Sequence, residues 1–69
     1  MDNIDVRQYI INNFKGDSIE DIKNSINSSI ESGEEDPLIG LGVLFEVMWK
    51  QSSDDDKNII LSNIRKGLN

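Results

Sequence analysis

The 69-residue sequence contains no cysteine, no histidine, no alanine and no threonine. Without cysteine or histidine, the chain has neither disulfides nor the usual ligands of a structural zinc site. Apolar packing must therefore stabilise the fold, within the chain or together with a partner subunit. The lack of cysteine is also typical of a reducing compartment. Alanine is the best helix former, so any helices here depend on the pattern of their apolar residues.

Basic residues are scarce: the chain has seven Lys and Arg and thirteen Asp and Glu, which gives a net charge of −6. Nucleic-acid binding depends on neutralising phosphates, and no Lys/Arg cluster is present, so we expect no DNA or RNA partner. Residues 1–5 are acidic and lack an apolar run, which is not the pattern of a signal peptide. The longest apolar stretch, 38–49, is too short to span a membrane. We therefore expect a soluble protein without a membrane partner.

Four segments have helical spacing, at about 3–15, 18–32, 37–51 and 53–66. In the first, Val6, Ile10 and Phe14 are four residues apart, and Gly16 offers a left-handed stop. In the fourth, Ser53 is a candidate cap, and apolar residues at 60, 61, 64 and 68 recur at helical spacing. No repeat or long linker interrupts the chain, so residues 1–69 are predicted to form a single all-α domain.

The second segment has the clearest pattern. Isoleucines at positions 19, 22, 26 and 30 form one stripe about 80° wide, with only polar residues between them. Ser18 followed by Asp21, or Asp17 followed by Glu20, is typical of a capped helix start, and Gly33 is typical of a helix end. We expect this stripe to be buried, because isoleucine is a poorer helix former than alanine and burial must offset the difference.

The third segment is apolar around nearly its whole circumference, which is typical of a helix at the centre of its fold. Asp36 and Pro37 fit the cap and the first position of this helix. Gly40 and Gly42 weaken a helix, so their presence suggests that another backbone approaches closely there. The predicted architecture is a small four-helix domain packed around the apolar third helix.

No catalytic or metal site is recognisable in the sequence. The acidic runs 34–36 and 54–56 lack the alternating acids and central glycine of a calcium loop, and acids are expected near helix starts. Catalysis without His or Cys would rest on Ser, Lys, Tyr or paired carboxylates, and no serine stands in a nucleophile motif. The string 40–45 lacks the third glycine of a dinucleotide fingerprint. We expect a non-enzymatic protein without cofactor, metal or small-molecule substrate.

The candidate binding residues lie on the third segment: Gly40, Leu41, Phe45, Met48 and Trp49. At helical spacing they are most simply core residues. The alternative is that a helix apolar on all sides presents part of its surface to a second subunit or to another protein. Three short companion helices are expected to leave this face partly open, which favours a homodimer over a monomer.

Residues 32–68 read SGEEDPLIGLGVLFEVMWKQSSDDDKNIILSNIRKGL. This segment resembles the minor small acid-soluble spore proteins of type I. That family has a similar Ser-Gly-Glu-Glu, here at 32–35, and a similar Gly-Leu-Gly-Val-Leu-Phe-Glu, here at 40–46, with a nearby Trp at 49. It also has an acidic helix start, here at 54–57, and a final Lys-Gly-Leu, here at 66–68. The resemblance implies a protein made in the developing forespore of a low-GC, spore-forming bacterium and held in the spore core. The resemblance does not imply that the protein coats DNA. The family has no known catalytic or binding residues that could be assigned to positions of this sequence.

Three functions remain in consideration at this point. The first is a minor spore-core protein that is expressed during sporulation and acts through protein–protein contacts. The second is an adaptor or regulator that binds a partner helix through the Phe45/Trp49 face. The third, a nucleic-acid binder, is disfavoured by the charge of the chain.

We predict that the protein has no useful affinity for duplex DNA at physiological salt, because too few basic residues are available to neutralise phosphates. Fluorescence anisotropy with a labelled duplex at about 150 mM salt should show no saturable binding up to micromolar protein. A basic DNA-binding protein of similar size is the positive control. A sub-micromolar dissociation constant for this chain would contradict the prediction.

Overall fold

The structure is a computed structural model, and it describes residues 5–69. Within that range the chain forms four α-helices and no strand. The all-α fold predicted from the sequence is therefore confirmed. The first helix was expected to start at residue 3, which lies outside the described residues. In chain order the helices are α1 (Val6–Phe14), α2 (Ile19–Ser32), α3 (Pro37–Gln51) and α4 (Asp54–Leu68).

Side chains cap the start of three helices. Oδ1 of Asp5 accepts a hydrogen bond from the backbone N–H of Gln8 at 3.1 Å, in the first turn of α1. The hydroxyls of Ser18 and Ser53 do the same for α2 and α4, each accepting from the N–H three residues later at 3.1 Å. Each bond satisfies one of the amides that the first helical turn leaves without a partner. Of the two caps considered for α2, Ser18 is the one that forms.

The start of α3 differs from the other three. Pro37 occupies the first turn, where its missing N–H does no harm. Asp36 was expected to cap this helix, but its side chain makes no capping hydrogen bond. Its backbone is already helical (φ −55°, ψ −44°), whereas a capping side chain needs an extended backbone to reach the first amides. The N–H of Leu38 instead donates to the carbonyl of Glu35 at 3.0 Å.

Gly33 and Gly16 follow α2 and α1, and they behave differently. Gly33 has φ 68°, and its N–H donates to the carbonyl of Ile30 at 3.3 Å, as expected for a left-handed glycine that ends a helix. Gly16 has no positive φ, so the expected left-handed stop after α1 is wrong. The chain turns there through a hydrogen bond from the N–H of Asp17 to the carbonyl of Phe14 at 3.0 Å.

The helix α3 contacts both α1 and α2. Val43, in the middle of α3, is the most deeply buried side chain of residues 5–69, with 7% of its surface exposed. The isoleucine stripe of α2 is half-buried at Ile22 and Ile26, but Ile19 is 87% exposed and Ile30 is also exposed. The expected burial of the whole stripe is therefore wrong at both ends, because packed helices contact each other mainly near their crossing point.

The helix α4 is the least packed of the four. It continues through Gly67 to Leu68, two residues beyond its predicted end. Only Lys57 and Ile60 are half-buried, and the rest of the helix is exposed, up to 80% at Leu68. Packing of all four helices around α3 stays a prediction, since α4 contacts the other helices only weakly. No helix within residues 5–69 combines the length and the apolar character needed to cross a bilayer.

The chain has a large surface for its mass. Its accessible surface is 5783 Å², whereas a compact monomer of this mass exposes about 4,400 Å². Its radius of gyration is 13.6 Å, against about 11 Å for a compact domain of this length. Much of the apolar surface that a closed four-helix domain buries is therefore open.

The glycines of α3 do not mark a close approach of another helix. A methyl group added at Gly40 or Gly42 would meet no heavy atom within 4 Å. The expectation that another backbone lies against them is therefore wrong within the described chain. Both glycines lie inside a helix, where each costs about 1 kcal/mol relative to alanine.

We predict that Gly42→Ala raises the free energy of unfolding by about 0.5–1 kcal/mol, because alanine restricts the unfolded chain and favours the helix. Gly33→Ala is the matched variant and should lower the free energy of unfolding by about 1–2 kcal/mol, because its φ of 68° disfavours a side chain. Urea unfolding followed by circular dichroism measures both. If Gly42→Ala destabilises the protein, a neighbouring helix or a second chain does approach this position.

Candidate interaction surface

One side of α3 carries five large apolar residues that are not fully buried. Successive residues of a helix are turned by about 100°, so these five fall within an arc of about 100°. Phe45 is 39% exposed, and Leu38 is also exposed. The other three are half-buried. We call this set the α3 face; its members are Leu38, Leu41, Phe45, Met48 and Trp49.

An ordered aromatic pair lies in the α3 face. The rings of Phe45 and Trp49, one helical turn apart, stack with centroids 5.7 Å apart and planes at 21°. The Nζ of Lys57 from α4 lies 5.1 Å from the centroid of the Trp49 ring. Stacking of this kind contributes about 0.5–1.5 kcal/mol beyond area burial, and an exposed cation–π contact about 0.5–1 kcal/mol. Contacts within the chain therefore favour this arrangement of the two rings.

The connection between α3 and α4 places the start of α4 beside this aromatic pair. The hydroxyl of Ser52 donates to the carbonyl of Met48 at 2.6 Å, and its N–H donates to the carbonyl of Trp49 at 3.2 Å. Ser53 then caps α4, so only two residues separate the helices. Both serines satisfy helix ends, and the first turn of α4 is thereby held next to Trp49.

The helix α4 continues the apolar surface. Its large apolar residues fall within about 100° of one another and of Lys57, the residue that reaches the Trp49 ring. They therefore lie on the same side of α4 as the contact with α3. This side is mostly exposed. We call these residues the α4 row; they are Ile60, Leu61, Ile64 and Leu68.

A groove of about 430 Å³ lies between α2 and α3. Every lining side chain is apolar, and three of them belong also to the α3 face. The groove offers no side-chain hydrogen-bonding group, so it suits a row of apolar side chains better than a polar small molecule. We call it the α2–α3 groove; it is lined by Ile22, Ile26, Leu41, Leu44, Phe45, Val47 and Met48.

A charged pair lies next to the α3 face, since Arg7 and Glu46 line one cavity with Phe45 and Trp49. Nε of Arg7 donates to Oε1 of Glu46 at 2.7 Å, and its Nη2 donates to Oε2 at 3.0 Å, which joins α1 to α3. The hydrogen bond from Arg7 and its positive charge hold the pKa of Glu46 below its ordinary value. The hydrogen bond from Glu46 raises the pKa of Arg7. The carboxylate of Glu46 thus bonds to a residue 39 positions away along the chain.

Four of the five candidate residues named from the sequence come together, since Leu41, Phe45, Met48 and Trp49 all belong to the α3 face. Gly40 does not join them, because it lies on the opposite side of the helix from Trp49. Leu38 was missed, although its spacing to Leu41 and Phe45 is that of one helix face. The contribution of α2 to the groove is a tertiary contact that no local spacing reveals. That these residues bind a partner stays a prediction.

The described part of the chain offers little for catalysis or metal binding. No group of three or more acidic side chains within residues 5–69 is arranged to hold a metal ion. Hydroxyls that form hydrogen bonds serve helix ends: Ser18 and Ser53 cap starts, while Ser32 and Ser52 donate to the carbonyls of Ser29 and Met48. None of these bonds joins a hydroxyl to a general base.

Comparison with known proteins gives a consistent result. The profile of the family described as "Small, acid-soluble spore protein I" matches residues 4–68. The protein of that name from Bacillus licheniformis is 42% identical over 65 residues, which cover 94% of this chain and 93% of the relative. Its namesake from Bacillus subtilis is 42% identical over 65 residues, 94% and 92% of the two chains. The one from Shouchella clausii is 44% identical over 64 residues, 93% of each chain. No solved structure matches.

We predict that Glu46→Gln lowers the melting temperature slightly at pH 7 and makes it less sensitive to acid. Because the pKa of Glu46 is lowered in the folded protein, its ion pair stabilises the fold above the ordinary value of 4.5. That stabilisation is lost as the pH falls through the folded pKa. The effect is small, because both side chains are partly exposed to solvent.

Thermal unfolding followed by circular dichroism between pH 7 and pH 3 checks this expectation. From pH 7 to pH 3 the melting temperature of the wild type should decrease by more than that of Glu46→Gln. The control is Glu31→Gln, an exposed position on α2 that removes the same charge. Identical pH profiles for the two variants would show that the ion pair with Arg7 does not contribute.

Proposed function

Because the chain belongs to the small acid-soluble spore protein I family, we propose that it is a minor, non-enzymatic protein of the spore core that acts through protein–protein contacts. Membership rests on the profile match over residues 4–68 and on relatives more than 40% identical over most of their length. The resemblance seen in residues 32–68 is thereby confirmed, and the chain is a sporulation protein. The mode of action is our inference.

The observation that carries this inference is the open α3 face. Soluble monomers rarely leave a large contiguous apolar surface open without a binding role. Tryptophan, phenylalanine and methionine are enriched in the centres of protein interfaces, and Trp49, Phe45 and Met48 lie next to one another here. The stacked rings are already ordered, so little side-chain entropy is lost when a partner binds.

The absence of catalytic chemistry supports a non-enzymatic role. The chain has no histidine or cysteine, and the hydroxyls that form hydrogen bonds in the described residues cap or close helices. The apolar α2–α3 groove lacks the few convergent polar groups that orient a substrate. A location in the spore core agrees with the cysteine-free composition, which is typical of reducing compartments.

The second candidate is an adaptor or regulator that binds a helix of another protein. The α2–α3 groove supports it, because an amphipathic helix binds by placing its apolar side in such a groove. The two candidates share one surface and differ in the occupant. In the first candidate, the surface contacts other proteins of the spore core. In the second, it binds a helix of a protein whose activity it regulates.

Affinity capture from spore-core extract tests the proposal, with tagged wild-type protein compared against Trp49→Ala. The control is Tyr9→Ala, which removes an exposed aromatic ring from a different helix, α1. We expect the same proteins to be retained by the wild type and by Tyr9→Ala but lost with Trp49→Ala. Circular dichroism verifies that both variants are folded.

Two outcomes of that capture would count against the proposal. If nothing is retained above background, the chain has no stable protein partner in the core. If Trp49→Ala and Tyr9→Ala retain the same proteins, the contacts are made elsewhere. Fractionation of purified spores into coat, membrane and core, with the protein followed by mass spectrometry, tests the location independently; recovery in the coat alone would exclude the core.

A further inference from the structure

We propose that two copies of this chain form a symmetric dimer in which the α4 row of each copy lies in the α2–α3 groove of the other. The inference rests on the proposed function in one respect, because it uses the same α3 face as the contact surface. It goes further in naming the occupant of that surface and the helix that makes the contact.

The exposed surface of the chain is large enough to supply a dimer interface. The chain exposes 5783 Å², about 1,400 Å² more than a compact monomer of its mass. A stable protein–protein interface buries about 800 Å² per partner. An interface of this size therefore needs only part of the extra exposed surface of each chain. The α2–α3 groove is apolar on both of its walls.

The α2–α3 groove and the α4 row match in length and in the spacing of their residues. Leu41, Phe45 and Met48 line the groove at spacings of four and three residues, over about 11 Å of helix. Ile60, Ile64 and Leu68 of the α4 row are four residues apart and extend over about 12 Å. A ridge of this length and period fits a groove of the same length by ordinary helix packing.

The helix α4 does not fill the groove of its own chain, because its first turn is held at another place. The contact between Lys57 and Trp49 holds the first turn of α4 on the Trp49 side of α3. The groove begins at Phe45, next to Trp49, and extends around the helix to Leu44 and Val47, which lie about 140–160° from Trp49. With only Ser52 and Ser53 in the connection, α4 is positioned beside the α3 face and leaves the groove open. A second copy supplies an identical row without breaking these contacts.

Charge favours one orientation of the inserted helix. The last turn of α4 carries Arg65 and Lys66, and its first turn carries three aspartates. The segment before α3, residues 34–36, is entirely acidic. When α4 runs antiparallel to the partner's α3, its basic end lies toward this acidic segment. The parallel orientation instead brings the aspartates toward it, and like charges in proximity oppose binding.

Sedimentation equilibrium of the full chain tests the dimer at about 150 mM salt, where the repulsion between two chains of charge −6 is largely screened. We expect the mass to rise from 7.8 kDa toward twice that value across the micromolar range. Ile64→Lys should weaken dimerisation at least about 30-fold, because it places an unpaired charge in an apolar groove.

The control is Ser62→Lys, which introduces the same charge on the opposite side of α4 from the row. It should leave the dissociation constant nearly unchanged. A wild-type mass fixed at 7.8 kDa overturns the dimer. So does an Ile64→Lys dimer that is as strong as the Ser62→Lys dimer, because the row is then not in the interface.

A charge-exchange experiment tests which surfaces meet. Antiparallel insertion places Ile64 of one copy opposite Phe45 of the other, so Ile64→Lys and Phe45→Glu should each be monomeric alone. An equimolar mixture should dimerise again, because one contact is then unaltered and the other pairs Lys with Glu. Phe45 is already partly exposed, so its variant is expected to remain folded.

The mixture also discriminates against other arrangements. If the two α4 rows meet each other instead, Phe45→Glu alone still dimerises, and the proposed arrangement is overturned. If α4 closes over its own groove, the wild type stays monomeric, and Ile64→Lys lowers its melting temperature, which again overturns the dimer. A monomeric result leaves the capture experiment with Trp49→Ala and Tyr9→Ala unaffected, so failure here and failure of the proposed function are distinguishable.

Discussion

The contact of α1 and α2 with α3 is the interaction on which the rest of the structure depends. Val43 is the one residue of the described range 5–69 that it buries, to 7% exposure, in a chain that has no cysteine for a disulfide and no histidine or cysteine for a metal. A core this small stabilises a domain by only a few kcal/mol, roughly the lower end of the usual range. Helix caps and the ion pair between Arg7 and Glu46 therefore contribute a larger share of the stability than they do in a larger protein.

The same contact determines which apolar side chains of α3 stay open to solvent. The helices α1 and α2 contact α3 but cover its aromatic residues only in part: Phe45 lines cavities with residues of both helices and is still 39% exposed. The third helix is too apolar for its two neighbours to cover, and α4 contacts it only weakly, with Lys57 placed over the Trp49 ring. The open apolar face therefore results because only two helices pack firmly against a helix that is apolar around nearly its whole circumference.

Features of the fold that depend on a few neighbouring residues were predictable from the sequence. The Ser18 cap and the left-handed Gly33 are local, since each satisfies backbone groups within four residues of itself. Burial was less predictable, because the spacing of Ile19 and Ile30 indicates which side of α2 faces inward but not how far the contact extends. The bond from Arg7 to Glu46 joins residues 39 positions apart and had no local signal. The candidate residues of the α3 face come together because one helix carries them.

The stacked environment of Trp49 has a spectroscopic consequence. The chain contains a single tryptophan, so its emission comes from one place. That indole touches Phe45 on its own helix and the ammonium group of Lys57 on the next, across the two-residue connection. Its fluorescence therefore responds to the angle between the last two helices and to the water around the face they share. The protein carries a built-in optical probe at the position where its least packed helix joins the rest of the fold.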